Sequence, residues 1–161
     1  MNRGPVFDYA EIADFRGVGC TLTAGVWDCL HVGHVEHLEF CKSLGLPLVV
    51  CIGSDATVRM LKGPGRPIVG ERNRARMVAA LACVDAVVVS EESGRMNFTR
   101  LMELIRPDVL VVAADDPARA AKFALCERMA VRMVVDDTRP ETGPSTTGIV
   151  SQILEGSARL R

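Results

Sequence analysis

The sequence has almost no net charge. Its 161 residues carry 19 lysines and arginines against 20 aspartates and glutamates, so no overall field draws it toward nucleic acid or an anionic membrane surface. Any anion it binds must be held by local groups. No apolar run approaches the ~18 residues of a membrane span, and no segment is repeated or of low complexity. There is no C-x-x-C pair either. Cys20, Cys29, Cys41, Cys51, Cys83 and Cys126 are scattered, mostly inside apolar segments, with no secretory leader ahead of them. They are expected to be reduced core residues of a cytoplasmic protein. The sequence also lacks G-x-G-x-x-G. Gly25-Val26-Trp27-Asp28 follows the first long apolar strand instead, which argues against a dinucleotide-dependent dehydrogenase.

What is present fits one compact domain, because a chain of this length with 48% hydrophobic residues can bury a core of its own. Residues 1–18 read as an N-terminal extension with a short helix over Tyr9 to Phe15, 19–155 as the domain, and 156–161 as a basic tail. The continuous apolar runs Thr21–Val26, Leu48–Ile52, Ala86–Val89, Val109–Ala113 and Val131–Val135 read as strands buried on both faces. Between them lie helical patterns: Val35, Leu38, Cys41 and Leu44 recur at helical spacing before Gly45, and Ser54 caps a helix over Ala56 to Leu61. Further helices run over Glu71–Val84, Asn97–Ile105 and Pro117–Ala130, and Ser145 caps a last one with Ile149, Val150 and Ile153 on its buried side. In the Glu71 helix Met77, Leu81 and Val84 form the apolar stripe, with Arg72, Arg74 and Arg76 mostly off it. Alternating strands and helices predict an α/β fold with a doubly wound, five-stranded parallel sheet. Its ligand is expected at the carboxyl ends of the strands, near the central first strand.

Ala24-Gly25-Val26-Trp27-Asp28-Cys29-Leu30-His31-Val32-Gly33-His34 lies at that place. It sets two imidazoles and a glycine at a strand-to-helix junction, where free N–H groups and the helix dipole favour anions. Gly33 leaves room for a phosphate against the backbone. The expected ligand is a nucleoside triphosphate. His37 extends the spacing and invites a zinc reading, but paired helical zinc ligands are usually ~4 residues apart and no cysteine or carboxylate completes a set. His37 then reads as a surface residue. Lys62 and Arg66 lie in a Gly/Pro-rich loop from Lys62 to Gly70, able to close over a ligand. Arg72 and Arg76 suit either the same phosphates or an exposed face.

H-x-G-H after an apolar strand resembles the signature of the cytidylyltransferase-like nucleotidyltransferases, which have a Rossmann-like fold. Further landmarks follow in order: Gly53-Ser54-Asp55, Leu61-Lys62-Gly63 with Arg66-Pro67, Val84-Asp85, Arg106-Pro107-Asp108 and Ser145-Thr146-Thr147. Within the family, the heptose adenylyltransferases are most similar. The resemblance implies transfer of a nucleoside monophosphate from a triphosphate, ATP being favoured, to a small phosphorylated acceptor such as a sugar 1-phosphate, with release of pyrophosphate. It implies catalytic roles for His31, His34 and Lys62, and nucleotide contacts from Ala24, Gly25, Val26, Trp27, Gly33, Arg66, Asp115, Ser145, Thr146 and Thr147. Mg2+ would be bound mainly through the triphosphate rather than by protein ligands alone. No nucleic acid or membrane partner is expected, and a homodimer is compatible with the sequence.

Trp27 suits either the core or the wall of the nucleotide pocket, and Asp28 reads as a brace for its loop. Arg139 lies one residue away from the place where related cytidylyltransferases carry an arginine. Heptose adenylyltransferases have lysine-glycine-glycine-aspartate-tyrosine after the fourth strand, where this chain has Val112-Ala113-Ala114-Asp115-Asp116 and keeps only Asp115. That departure keeps two alternatives open: a CTP-dependent enzyme acting on glycerol phosphate, another polyol phosphate or a phosphonate, and a nucleotide-binding regulatory protein without catalysis.

Overall fold

The computed structural model describes residues 4–138 and 145–158; Arg139 and most of the polar turn before Ser145 lie outside them. The strands are β1 (Val6–Phe7), β2 (Thr21–Gly25), β3 (Leu48–Ile52), β4 (Ala86–Val89), β5 (Val109–Ala113) and β6 (Arg132–Asp136). They form one sheet in the order β1-β4-β3-β2-β5-β6, with every pairing parallel. The helices are α1 (Val32–Ser43), α2 (Asp55–Lys62), α3 (Glu71–Ala79), α4 (Thr99–Ile105), α5 (Arg119–Met129) and α6 (Thr146–Ala158), with a 3-10 helix over Glu11–Phe15.

Strand alternation divides the core in two. Val49 and Cys51 of β3 point to one face, where Phe98, Leu101 and Ile105 of α4 and its approach meet Leu125 of α5. Leu48, Val50 and Ile52 point to the other, against Leu38 and Cys41 of α1 and Ala75 and Val78 of α3. A sheet covered on both faces needs strands without a polar side, hence the unbroken apolar runs. From β2 the chain winds outward through β3 to β4, then returns across the sheet to β5 and β6. The carboxyl ends of β2 and β5 therefore border the point where the winding reverses, and a crevice opens there.

The sheet has six strands rather than five. β1 pairs with β4 through Val6↔Val87 and Phe7↔Val88, and the Phe7 ring meets Phe15 edge-on at 5.6 Å. A two-residue edge strand is too short to show a period, so the sequence pattern could not mark it. Three helical expectations also change. α3 stops at Ala79, and its buried face carries Arg74, Ala75, Val78 and Ala79, with Met77 exposed. In α6 Ile153 is 63% exposed rather than buried, and that helix runs on to Ala158, into the stretch read as a tail. The regular helix near Pro117 begins only at Arg119.

Arg74 is the largest change, since its side chain is buried to 1% exposure. Its guanidinium donates to the Val69 carbonyl at 2.8 Å, to the Val26 carbonyl, and to Asp55 Oδ1 at 2.7 Å. One planar fork thus joins the loop after β2, the loop before α3 and the start of α2. Arg74→Met should leave those acceptors without donors and lower unfolding free energy by about 3 kcal/mol, measurable by urea denaturation; a loss below ~0.5 kcal/mol, the range of an ordinary surface change, would refute the brace.

Candidate active site

The turn from β2 into α1 is held in a backbone conformation that side-chain-bearing residues seldom adopt, since Trp27 and Cys29 have φ of 58° and 49°. Trp27 is fixed by its own indole, whose Nε1 donates to the Cys51 carbonyl at 3.0 Å. A Cβ on Gly25 would stand 2.9 Å from the Trp27 ring, so glycine there is a packing requirement. Trp27 is both core and wall: it is buried, packs in the second core cluster and borders the crevice. His31 takes the N-cap position of α1 in an extended conformation without a side-chain capping bond. Its ring stacks on His34, with centroids 3.9 Å apart and planes 23° from parallel.

Asp28 braces the opposite loop. Its carboxylate accepts from Arg66 Nε at 2.8 Å and from the backbone N–H groups of Ile68 and Val69 at 2.9 Å each. Burial pushes this carboxyl up, but the two amides and the Arg66 guanidinium outweigh burial and hold it below the usual carboxylate range. The Asp28 carbonyl in turn accepts from Thr146 Oγ1 at 2.7 Å, which ties α6 to the same turn. Ser145 Oγ caps α6 by accepting from Gly148 N at 3.1 Å.

These elements enclose a crevice of about 290 Å³. Ala24, Gly25, Val26, Trp27, His31, His34, Lys62, Arg66, Ser145, Thr146 and Thr147 border it. Gly33 is buried in the first turn of α1 and does not border it. Asp115 is exposed and does not border the crevice, while its neighbour Asp116 borders it and pairs with Lys122 at 2.7 Å. Arg72 and Arg76 are exposed on α3, also off the crevice.

His37 is buried rather than on the surface, with 7% exposure, at the floor of the same crevice. Its Nδ1 lies 2.6 Å from Asp136 Oδ2 and its Nε2 3.0 Å from Thr23 Oγ1. Burial raises the Asp136 carboxyl, but hydrogen bonds from Thr138 and His37 prevail and lower it. Spacing from His34 could have put His37 on the crevice side of α1; its carboxylate partner, 99 residues away, left no local signal. Among the described residues no three His, Cys, Asp or Glu side chains converge on a metal-sized site.

A doubly wound parallel sheet, with stacked imidazoles and a lysine around the crevice at its switch point, defines a domain of the nucleotidyltransferase class. The chain belongs to the cytidylyltransferase-like family, which it matches over residues 22–150. Bifunctional protein HldE of Syntrophotalea carbinolica is 40% identical over 149 residues, 92% of this chain and 29% of that protein. HldE of Koribacter versatilis is 52% identical over 94 residues, 58% of this chain and 19% of that protein. The chain thus spans under a third of the length of these curated relatives. The lipopolysaccharide core biosynthesis protein of Thermoplasma volcanium superposes with a TM-score of 0.61 at 24% identity, over 74% of this chain and 94% of that one. The pantoate-beta-alanine ligase of Francisella tularensis gives 0.62 at 13% identity, over 86% and 69%. These two structures support the fold. No helix among the described residues is long and apolar enough to cross a membrane.

Because the folded Asp28 carboxyl is held below its ordinary ~3.9, its stabilising effect is fully present above that value and is lost as pH falls through the lowered one. Asp28→Asn should therefore cost about 2–3 kcal/mol at pH 7, and the gap from wild type should narrow below about pH 4. Urea titrations of both proteins across that range decide it; a gap independent of pH would show that the carboxylate charge contributes nothing.

Proposed function

We propose that this domain transfers a nucleoside monophosphate from a nucleoside triphosphate, with ATP favoured, to a small phosphorylated acceptor such as a sugar 1-phosphate. The observation that carries the reading is the stacked His31–His34 pair at the first turn of α1, facing a crevice that Lys62 also borders. Imidazole N–H groups, a lysine ammonium and two helix starts, those of α1 and α6, are the donors a triphosphate needs. The resemblance to heptose adenylyltransferases and the identity to HldE support ATP and a sugar phosphate.

In this reading an oxygen of the acceptor phosphate attacks the α-phosphorus, a new P–O bond forms, and the bond from α-phosphorus to the α–β bridging oxygen breaks. The electron pair leaves with pyrophosphate. His31, His34 and Lys62 donate to the phosphate oxygens on which charge grows, so catalysis is positioning and charge stabilisation without a covalent enzyme intermediate. Ser145, Thr146 and Thr147 hold the triphosphate from the far side. Arg66 borders the same space while its Nε and Nη2 are engaged by Asp28, so we assign it chiefly to holding the loop that follows Lys62. Both carboxylates at the crevice, Asp28 and Asp116, are committed to cations of the chain. Mg2+ fits this site as a passenger on the triphosphate, where it would neutralise charge on the leaving pyrophosphate.

His34→Ala should retain the wild-type thermal midpoint to within a few degrees and lower turnover at least ~100-fold, read as pyrophosphate release. Near-normal turnover would overturn the catalytic assignment. With Mg2+ and ATP, CTP, GTP or UTP at ~100 times the dissociation constant, binding adds about 2.7 kcal/mol, a midpoint rise of roughly 5–11 °C. A rise with ATP fits the proposal. A rise with CTP alone changes the base and keeps the mechanism; a rise without any pyrophosphate release would leave only nucleotide binding.

A further inference from the structure

Beside the main crevice lies a second cavity of about 150 Å³. Ala24, Gly25, Val26, Lys62 and Asp116 border both spaces, so molecules held one in each would meet over the end of β2 and under Lys62. The side cavity's own walls are different. Gly53 at the end of β3 and Asn97 ahead of α4 form one wall, and Lys122 of α5 another. Asn97 is only 7% exposed, and its backbone carbonyl accepts from Ser90 Oγ. Its carboxamide makes no hydrogen bond within the described chain. Gly53 supplies the room it occupies, because a Cβ there would stand 3.2 Å from Asn97 Nδ2.

The Asn97 carboxamide borders this cavity, so its donors and acceptor are open to whatever fills that space. A molecule that offers both a donor and an acceptor pairs with it there, and hydroxyl groups offer both. Lys122 is 5% exposed, lies 5.0 Å over the Phe98 ring and donates one of its three N–H groups to Asp116. Its ammonium keeps further donor capacity on the cavity side. Arg95, Lys62 and Lys122 against Asp116 leave the lining cationic, which suits an anion and disfavours an uncharged apolar group.

We infer that the phosphorylated acceptor proposed above sits in the side cavity, and that Asn97 is the specificity residue that recognises its hydroxyl groups. The inference rests on the nucleotidyltransferase reading above. It places the acceptor's phosphate toward Lys62, at the boundary of the two spaces, and its hydroxylated carbons toward Asn97 and Lys122. Val112 and Ala113 border the main crevice and not this cavity, whereas Asp116 of the same departing segment borders both, so the departure from the heptose adenylyltransferases reaches the nucleotide side and the acceptor side alike.

The test is direct binding. Wild-type protein is loaded with Mg2+ and the non-hydrolysable α,β-methylene analogue of ATP or CTP. Glucose 1-phosphate, mannose 1-phosphate, a heptose 1-phosphate and glycerol 3-phosphate are then titrated and followed by saturation-transfer NMR. At least one should bind, and Asn97→Ala should weaken it about tenfold while analogue affinity stays unchanged. Since the carboxamide has no partner in the chain, the midpoint of Asn97→Ala should hold or rise, which a structural role would not predict; the isosteric Asn97→Asp should show the same binding loss. Unchanged binding of the phosphomonoester in Asn97→Ala, or no binding of any of the four to loaded wild type, would overturn the inference. Failure of both analogues to bind would instead overturn the nucleotidyltransferase reading, and this inference with it.

Discussion

The carboxylate of Asp28 is the point on which the crevice depends. It is 1% exposed, yet it sits in a turn whose neighbours on both sides have left-handed backbones, a conformation that local energetics alone would not keep. Donors from three residues of the 66–69 loop hold it there, and its own carbonyl accepts from Thr146 of α6. The β2–α1 turn, the 66–69 loop and the last helix are thereby tied together. Lys62, exposed at the end of α2, leads directly into that glycine- and proline-rich loop, so the tie holds the chain that follows it while α2 holds the chain before it. A donor displaced by an ångström loses much of its effect on a transition state.

Arg74 repeats the arrangement from the opposite sign. Asp28 gathers donors, while Arg74 gathers acceptors from Val26, Val69 and Asp55. Both touch the 26–28 turn and the 66–69 loop, so the two loops are clamped by a buried anion and a buried cation that do not pair with each other. A buried charge is tolerated only when hydrogen bonds replace its hydration, and here the replacements are largely backbone groups that the turns had left unsatisfied.

The same clamp explains what could be read from the sequence and what could not. β3, β4 and β5 coincide with apolar runs, because a strand covered on both faces has a composition of its own. His31 and His34 are legible because chain proximity fixes them at the start of α1. Arg74 and His37 are not legible for one reason: a charged or polar residue in a helix reads as exposed unless its distant partners are known. Those partners, Val26 and Val69 for Arg74 and Asp136 for His37, lie at the ends of other elements, where no periodicity announces them. Asp116 rather than its neighbour Asp115 reaches the crevice because Asp116 accepts from Ala118 N and from Lys122, which turns that side chain inward at the start of α5. Pattern matching selected a place in the chain, and hydrogen bonds selected the residue.

In the function proposed above, this arrangement separates reaction from recognition. The groups assigned there to phosphate chemistry, the stacked imidazoles, Lys62 and the start of α6, stand on or beside the elements that the Asp28 and Arg74 clamps join. They respond to charge, which every nucleoside triphosphate and phosphomonoester carries. The groups that could tell one acceptor from another, Asn97 and the Asp116–Lys122 pair, sit on the far wall and take no part in the clamp. A side chain on that wall can then change without moving the transfer centre, since Asn97, Asp116 and Lys122 make no bond to the 26–28 turn or to the 66–69 loop. Specificity in such a site is a difference between bound states, and a buried polar group discriminates best when the wrong molecule leaves it unpaired. In the inference drawn above, the Asn97 carboxamide, open to the side cavity beside the transfer centre, is placed to meet that condition.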